Sequence, residues 1–361
     1  MIDFFQKNNL LFVVIAIGIA FLFSILINSI LLKFSQTLGV RQSDKNEIRW
    51  NPAVRPSVGG ISFFVIFLIT FIILNFINNI LPLQYSNLKV IGILVVCTIA
   101  FLMGLADDAY NTKPLLKFII QFTCGLILYF TETKIKIFTG EAFNFAFTLI
   151  WVVGLMNSIN MLDNMDGVTT IVSIVILLFI IAINLNLHTI LTPTPILCLG
   201  VLGSLFGFLI YNWHPAKIFM GDTGSQFLGS FLSIVGIEFC WNSSSLVNNT
   251  WYSVNPALLG FTVVSLVFIL PLTDTITVTI NRLRRGQSPF VGGKDHTTHH
   301  LFFKGFTEKR ISVLFFVIGA IGLLLALNVI LNYQISWLIL SIIFCAITFL
   351  SLYLNTIIKR K

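Results

Sequence analysis

Apolar runs long enough to cross roughly 30 Å of hydrocarbon, at 1.5 Å of helix rise per residue, recur along the whole chain. Eleven can be marked, near 9–33, 59–80, 88–106, 114–130, 144–163, 167–186, 194–213, 225–241, 256–280, 311–331 and 336–356. The expected fold is therefore an all-α polytopic membrane protein with about 11 transmembrane helices. Composition agrees: of 361 residues, 57% are hydrophobic and only 10% charged, far below the roughly 25% charged content of an ordinary soluble domain. The first run exceeds the 7–15-residue core of a cleaved signal peptide and ten more follow it, so it reads as span one. Residues 1–361 then form a single integral membrane domain. Only the loops 34–58 and 281–310 are long enough to fold over a membrane face and contribute to a site.

Alternating the loops across the bilayer puts 18 of the 22 Lys and Arg residues on one face; the other four are Lys7, Lys89, Lys134 and Lys136. By the positive-inside rule the N-terminus lies outside and the C-terminus is cytoplasmic. The net charge of +8 becomes a property of the cytoplasmic face, where it suits anionic lipid head groups or phosphate-bearing ligands. No soluble module suggests a nucleic-acid partner. Cys97, Cys124, Cys198, Cys240 and Cys345 fall inside apolar runs without CxxC spacing, as small core residues do.

Against this topology the acids sort unevenly. Asp107, Asp108, Asp163, Asp166, Asp222 and Asp274 all map to cytoplasmic ends of spans or within about two turns of them. Helix ends tolerate charge better than hydrocarbon does, but that tolerance would favour Lys and Arg equally. In NSINMLDNMDG, Asn157, Asn160, Asp163 and Asp166 recur every third residue and share a helical face that ends at Gly167. Asp222, in MGDTGS, sits where span eight begins. Unpaired N–H groups and the helix dipole there favour phosphate, which an aspartate would repel unless a cation stood between. Oxygen ligands beside a phosphate point to Mg²⁺, or Mn²⁺ in its place, held by Asp222. Asp107 and Asp108 project about 100° apart on a helix and so are expected to do different jobs, one toward the metal and one toward a second substrate.

The loop NRLRRGQSPFVGGKDHTTHHL, 281–301, carries Arg282, Arg284 and Arg285, suited to gripping phosphate or sugar oxygens. His296, His299 and His300 share a face if helical, and without a Cys or Glu partner they read as ligands of substrate oxygens, not zinc. Lys117, one turn inside span four, either snorkels to water or faces the aspartates. Arg55 is an anchor or a substrate contact, Glu238 a structural partner, and His188 and His214 stay unassigned.

GLADDAYNTKP, NSINMLDNMDGV, GSLFGFLIYNWHPAKIFMGDTGS and RLRRGQSPFVGGKDHTTHHL, in this order, resemble the polyprenyl-phosphate N-acetylhexosamine-1-phosphate transferase superfamily across nearly the whole chain. The resemblance implies catalytic roles for Asp107, Asp108, Asp222, His296, His299 and His300. It implies substrate contacts from Lys117, Asn160, Asp163, Asp166, Asn212, Phe219, Arg282 and Arg285, with Asp166, Asn212 and Phe219 near the nucleoside. HTTHHL departs from the HHHxE pattern of the branch that transfers phospho-MurNAc-pentapeptide and looks more like the branch that uses a plain aminosugar. It also carries an extra residue relative to the common HIHHL form. The implied reaction joins a UDP-N-acetylhexosamine to undecaprenyl phosphate, with release of UMP, at the cytoplasmic face of the cell membrane; a homodimer is left open. A transporter or lipid flippase is the rival class, but such proteins carry ionisable groups at the bilayer midplane, whereas here the acids gather at one face.

Overall fold

The structure, a computed structural model, describes residues 8–38, 55–80, 86–246, 255–288, 293–332 and 334–357. Most of the loop 34–58, with Arg41, Lys45 and Arg49, lies outside the described residues, as do Lys7, residues 289–292 and the basic tail Lys359, Arg360 and Lys361. Among the described residues there is no strand. The helices are α1 (Asn9–Leu38), α2 (Gly59–Ile80), α3 (Asn87–Tyr110), α4 (Pro114–Phe130), α5 (Glu141–Leu162), α6 (Val168–Asn186), α7 (Pro193–Asn212), α8 (Gly221–Val235), α9 (Pro256–Val267), α10 (Ile269–Arg284), α11 (Thr297–Phe303), α12 (Glu308–Asn332) and α13 (Ile335–Ile357).

Eight of them, α1, α2, α3, α5, α6, α7, α12 and α13, are long and apolar enough to cross a membrane. The other expected runs are also helical but not regular spans. Helix α4 has 17 residues, and α8 continues through a π-helical turn, Gly236–Trp241. The run expected near 256–280 is bent by 85° between α9 and α10. Pro271, in the first turn of α10, has no N–H to donate and its ring crowds the preceding turn. Ser158 of α5 donates to the Pro271 carbonyl at 2.7 Å, which satisfies a backbone acceptor at the bend.

Helices α6, α7 and α8 are buried along most of their length. By contrast α1 and α13 expose Leu10, Val14, Leu22, Ile335 and Ile347 outward, the surface a lipid solvent accepts. Helix α8 packs against α2, α3 and α5, and glycines let the first two approach its backbone. A Cβ on Gly104 of α3 would stand 2.2 Å from the Asp222 carbonyl oxygen, and one on Gly60 of α2 2.2 Å from the Gly224 nitrogen. Small residues at such crossings are how membrane helices meet closely. Lys89 pairs with Glu238 at 3.0 Å, giving Glu238 the structural partner its sequence position suggests. The end of α3, the start of α4, the end of α5 and the start of α8 consequently meet at one end of the bundle, where the aspartates lie.

Candidate active site

The centre of the polar cluster is a lysine between two carboxylates. Lys117 Nζ forms a close ion pair with Asp107 Oδ2 and stands 3.0 Å from Asp222 Oδ2. Pro114 opens α4 in the first helical turn, where proline's missing N–H costs nothing; one turn on, Lys117 points back toward the end of α3. Asp107 Oδ1 accepts from the Thr112 backbone N–H at 2.8 Å and its hydroxyl at 2.6 Å, so the tight α3–α4 turn holds that carboxylate still. Asn160 donates to Asp222 Oδ1 at 2.8 Å and to Ser225 at 2.8 Å. Of the two readings of Lys117 from sequence, the structure shows the one that faces the aspartates.

Asp107 and Asp108 do face different partners. Asp108 accepts from the Asp222 N–H at 3.0 Å, the Thr223 N–H at 2.8 Å and the Thr223 hydroxyl at 2.6 Å. It thus caps α8 from another helix, taking the positive end of the dipole and two N–H groups with no partner inside the helix. This corrects the expectation that those N–H groups await a phosphate: a protein carboxylate already holds two of them.

Asp163 follows the last residue of α5. Burial, and then the charges of Asp222, Asp108 and Asp166, push its carboxyl up to about 7. Asp166 belongs to a second knot, where its Oδ2 accepts from Arg55 at 3.3 Å, His214 Nδ1 at 3.1 Å and the Ala216 N–H at 2.9 Å. His214 Nδ1 also lies 3.0 Å from Glu308 Oε2 at the start of α12. Asp166, His214 and Glu308 could by spacing share an ion, but the Arg55 guanidinium already supplies positive charge to Asp166. Arg55 also lies over the Phe219 ring, 5.6 Å from its centre. Asn212 accepts from the Gly167 N–H at 3.1 Å and the Thr170 hydroxyl at 2.8 Å and donates to the Ile218 carbonyl at 3.1 Å. Asp166 and Phe219 are thereby joined through Arg55, while Asn212 is committed to holding the chain around them.

The described parts of the 281–310 segment on either side of residues 289–292 are held by internal pairs. Arg282 grips Asp295 with two nitrogens, at 3.0 and 2.7 Å, and Arg285 adds a third contact at 2.5 Å. Burial alone would raise Asp295, but Arg282 and Arg285 hold it at about 2. Arg284 bonds Tyr353 of α13. The expectation that these arginines offer free donors to a substrate is corrected: Arg282 is buried in an internal pair, Arg284 is bonded to Tyr353 of α13, and half-exposed Arg285 is paired with Asp295. The histidines do not share one helical face, because His296 precedes α11. His296 Nδ1 lies 2.8 Å from Asp274 Oδ2, and Thr297 donates its N–H and hydroxyl to Asp274 Oδ1 at 2.8 and 2.7 Å. Burial and then the nearby His296 lower His299 to about 3, and burial also lowers His300. Thr298 donates to Asn164 at 2.6 Å, which docks α11 on the Asp163–Asp166 turn.

His214 and Arg55, whose roles are open in the sequence, and Glu308, Thr223, Gln121 and Gln226, to which it assigns none, all contact the site. Glu308 reads as an ordinary first-turn acid. The two glutamines carried a usable signal: each follows a charged site residue by four in an apolar helix, Gln121 after Lys117 and Gln226 after Asp222.

Comparison with known proteins bears on this geometry. Residues 90–240 match the family model for glycosyl transferase family 4. The chain is 30% identical over 353 residues to the probable undecaprenyl-phosphate N-acetylglucosaminyl 1-phosphate transferase of Bacillus subtilis (strain 168), covering 94% of this chain and 90% of that one. It is 29% identical over 304 residues to the phospho-N-acetylmuramoyl-pentapeptide-transferase of Streptococcus sanguinis (strain SK36), covering 76% and 84%. With the protein of the same name from Listeria innocua it shares 26% over 347 residues, covering 89% and 96%. The chain is a member of glycosyl transferase family 4, within the polyprenyl-phosphate N-acetylhexosamine-1-phosphate transferase superfamily that its four motifs resemble.

Proposed function

We propose that this protein transfers N-acetylhexosamine-1-phosphate, with N-acetylglucosamine as the sugar, from its UDP ester to undecaprenyl phosphate, yielding undecaprenyl-pyrophosphoryl-sugar and UMP. The observation that carries this reading is the Asp107–Lys117–Asp222 cluster with Asn160, at the end of a bundle whose outer surface is apolar. A polyprenyl chain can lie along that surface while its phosphate meets a water-soluble nucleotide at the cluster. In this reading the chain is a multi-pass protein of the inner membrane, with the N-terminus outside and the cluster on the cytoplasmic face, as the distribution of Lys and Arg favours.

The residues fit a divalent cation. Lys117 marks a place between two carboxylates where positive charge is favoured, the Asp222 side chain remains 30% exposed to solvent, and the carboxylate donors there are oxygens, the choice of Mg²⁺. Asp222, with Asp107 beside it, would hold the ion. When bound, Mg²⁺ supplies charge stabilisation to a diphosphate and its leaving group.

The chain's own residues do the rest. A lipid-phosphate oxygen attacks the sugar-linked β-phosphorus in line; a new P–O bond forms, the bond to the UMP oxygen breaks, and UMP leaves with the electron pair. The second pKa of a phosphate monoester is about 6, so the attacking group is mostly dianionic and needs orientation more than a strong base. Lys117 orients phosphate oxygens and neutralises charge, and Asn160 fixes the Asp222 rotamer. Asp108 holds the first turn of α8, and so the Asp222 backbone, in place. Asp166, Arg55 and Phe219 form the nucleoside side of the site.

The test is UMP release by purified protein in detergent with undecaprenyl phosphate, comparing UDP-N-acetylglucosamine with UDP-MurNAc-pentapeptide. Lipid-dependent release from the first donor supports the reading. Release only from the second moves the protein to the pentapeptide branch, and release from neither removes the assignment.

A further inference from the structure

Three helices bring Lys117, Asn160 and Asp222 together, and each carries an amide side chain one turn deeper into the bundle. Gln121 follows Lys117 by four residues on α4, Gln226 follows Asp222 by four on α8, and Asn157 precedes Asn160 by three on α5. These amides are bonded to one another. Gln121 Nε2 donates to Gln226 Oε1 at 3.1 Å and to Asn157 Oδ1 at 3.3 Å, while Asn157 Nδ2 donates back to Gln121 Oε1 at 2.6 Å. Gln121 and Gln226 are each 1% exposed. Buried amides in an apolar bundle are costly unless paired, and each of these sits on the helical face that points at the charged cluster.

We propose that Gln121, Asn157 and Gln226 are positioning residues: an interhelical amide clasp that sets the register of α4, α5 and α8 and thereby places Lys117 against Asp222. The geometry makes register matter. One residue of slip moves a helix by 1.5 Å and turns it by 100°, enough to break the 3.0 Å Lys117–Asp222 contact and the 2.8 Å Asn160–Asp222 bond. Helix α4 needs such a fastening most, because it is short and exposes Leu115, Leu116, Phe118, Ile119 and Phe122, so that few side chains lock its rotation. The clasp rests on the reading of Lys117 and Asp222 as the reaction centre.

The experiment measures kcat and KM for UMP release by full-length wild type, Gln121→Met, Gln226→Met and the double variant, with unfolding temperature recorded for each. Methionine keeps the volume and removes the amide. A displaced centre lowers kcat by about ten-fold in each single variant while KM for the nucleotide sugar stays within about two-fold. The double variant then matches the worse single within about two-fold, because either change already opens the clasp. Ser230→Ala removes another buried hydrogen bond of α8, to the Phe227 carbonyl at 2.8 Å, and is expected to lower the unfolding temperature without moving kcat. Gln226→Asn, one methylene too short to reach Gln121, carries the same expectation if Gln226→Met does not fold. Single variants with wild-type kcat and only a lower unfolding temperature overturn the clasp, as does a double variant whose loss is the product of the two. An inactive wild type overturns the reaction assignment and the clasp with it; an active wild type with unaffected variants overturns the clasp alone.

Discussion

Replacing Asp108 with alanine separates two roles that its position in a paired-aspartate motif leaves entangled. Its carboxylate accepts three hydrogen bonds from the first turn of α8. Bonds to a charged acceptor contribute about 1.5–3 kcal/mol each when buried, and loss of a helix cap costs about 1 kcal/mol. Asp108 and Asp222 are half-buried, so water can replace the carboxylate on the Asp222 side, whereas Thr223 is buried. The expected loss is therefore about one full charged bond plus the cap, roughly 3 kcal/mol. At about 2 °C per kcal/mol for a chain of this size, the unfolding temperature drops by roughly 6 °C. Asp108→Asn, which keeps one uncharged acceptor, falls by about half as much. Cys97, Cys124, Cys198 and Cys240 are buried, so a thiol-reactive fluorophore in a heated detergent sample reports the unfolding directly. An Asp108→Ala protein that unfolds at the wild-type temperature yet has lost turnover would refute the capping role and return Asp108 to the substrate.

Lys117→Met leaves Asp107 and Asp222 facing each other; turnover is expected to fall by at least about 100-fold, and the unfolding temperature lost in metal-free buffer is regained by Mg²⁺ more fully than in wild type. His214→Ala frees Asp166 from one of its three donors. It is expected to raise KM for the nucleotide sugar by about ten-fold with kcat changed by less than about two-fold, the pattern of a binding contact. His299 is held near 3, below the ordinary 6.5, by burial and by His296. The stability it contributes is complete above 6.5 and is lost as pH falls from there toward 3. Wild type is thus expected to lose about 1 kcal/mol more than His299→Asn between pH 6.5 and 5.5, measured as unfolding temperature at each pH.

The helices were legible because nothing but a helix satisfies its own backbone over twenty apolar residues; each of the eleven runs marked from sequence is helical, but among the described residues only eight form helices long and apolar enough to cross a membrane. The bend at Pro271 was not, since an apolar proline within an apolar stretch resembles the kinked spans that membranes tolerate. Around the cluster, spacing revealed that Asp107 and Asp108 must diverge, because two consecutive residues on a helix cannot share a direction. What each diverges toward depends on Thr223 and Lys117, which are 115 and 10 residues away from them; no local pattern carries that. Arg282 misled for a similar reason. A basic loop reads as open donors until Asp295, 13 residues on, is seen to close against it. Gln121 and Gln226 were readable as polar residues four after charged ones, but their bond to each other exists only once α4 and α8 pack together.

The most direct measurement follows the phosphorus. UDP-N-acetylglucosamine labelled with ³²P at the β-phosphate is incubated with purified protein and undecaprenyl phosphate, and the label is partitioned between organic and aqueous phases. Attack at the β-phosphorus carries the label into the lipid together with the sugar and leaves unlabelled UMP in water, both abolished by Asp222→Ala. Label that stays in the aqueous phase as UDP while the sugar moves to the lipid contradicts attack at phosphorus.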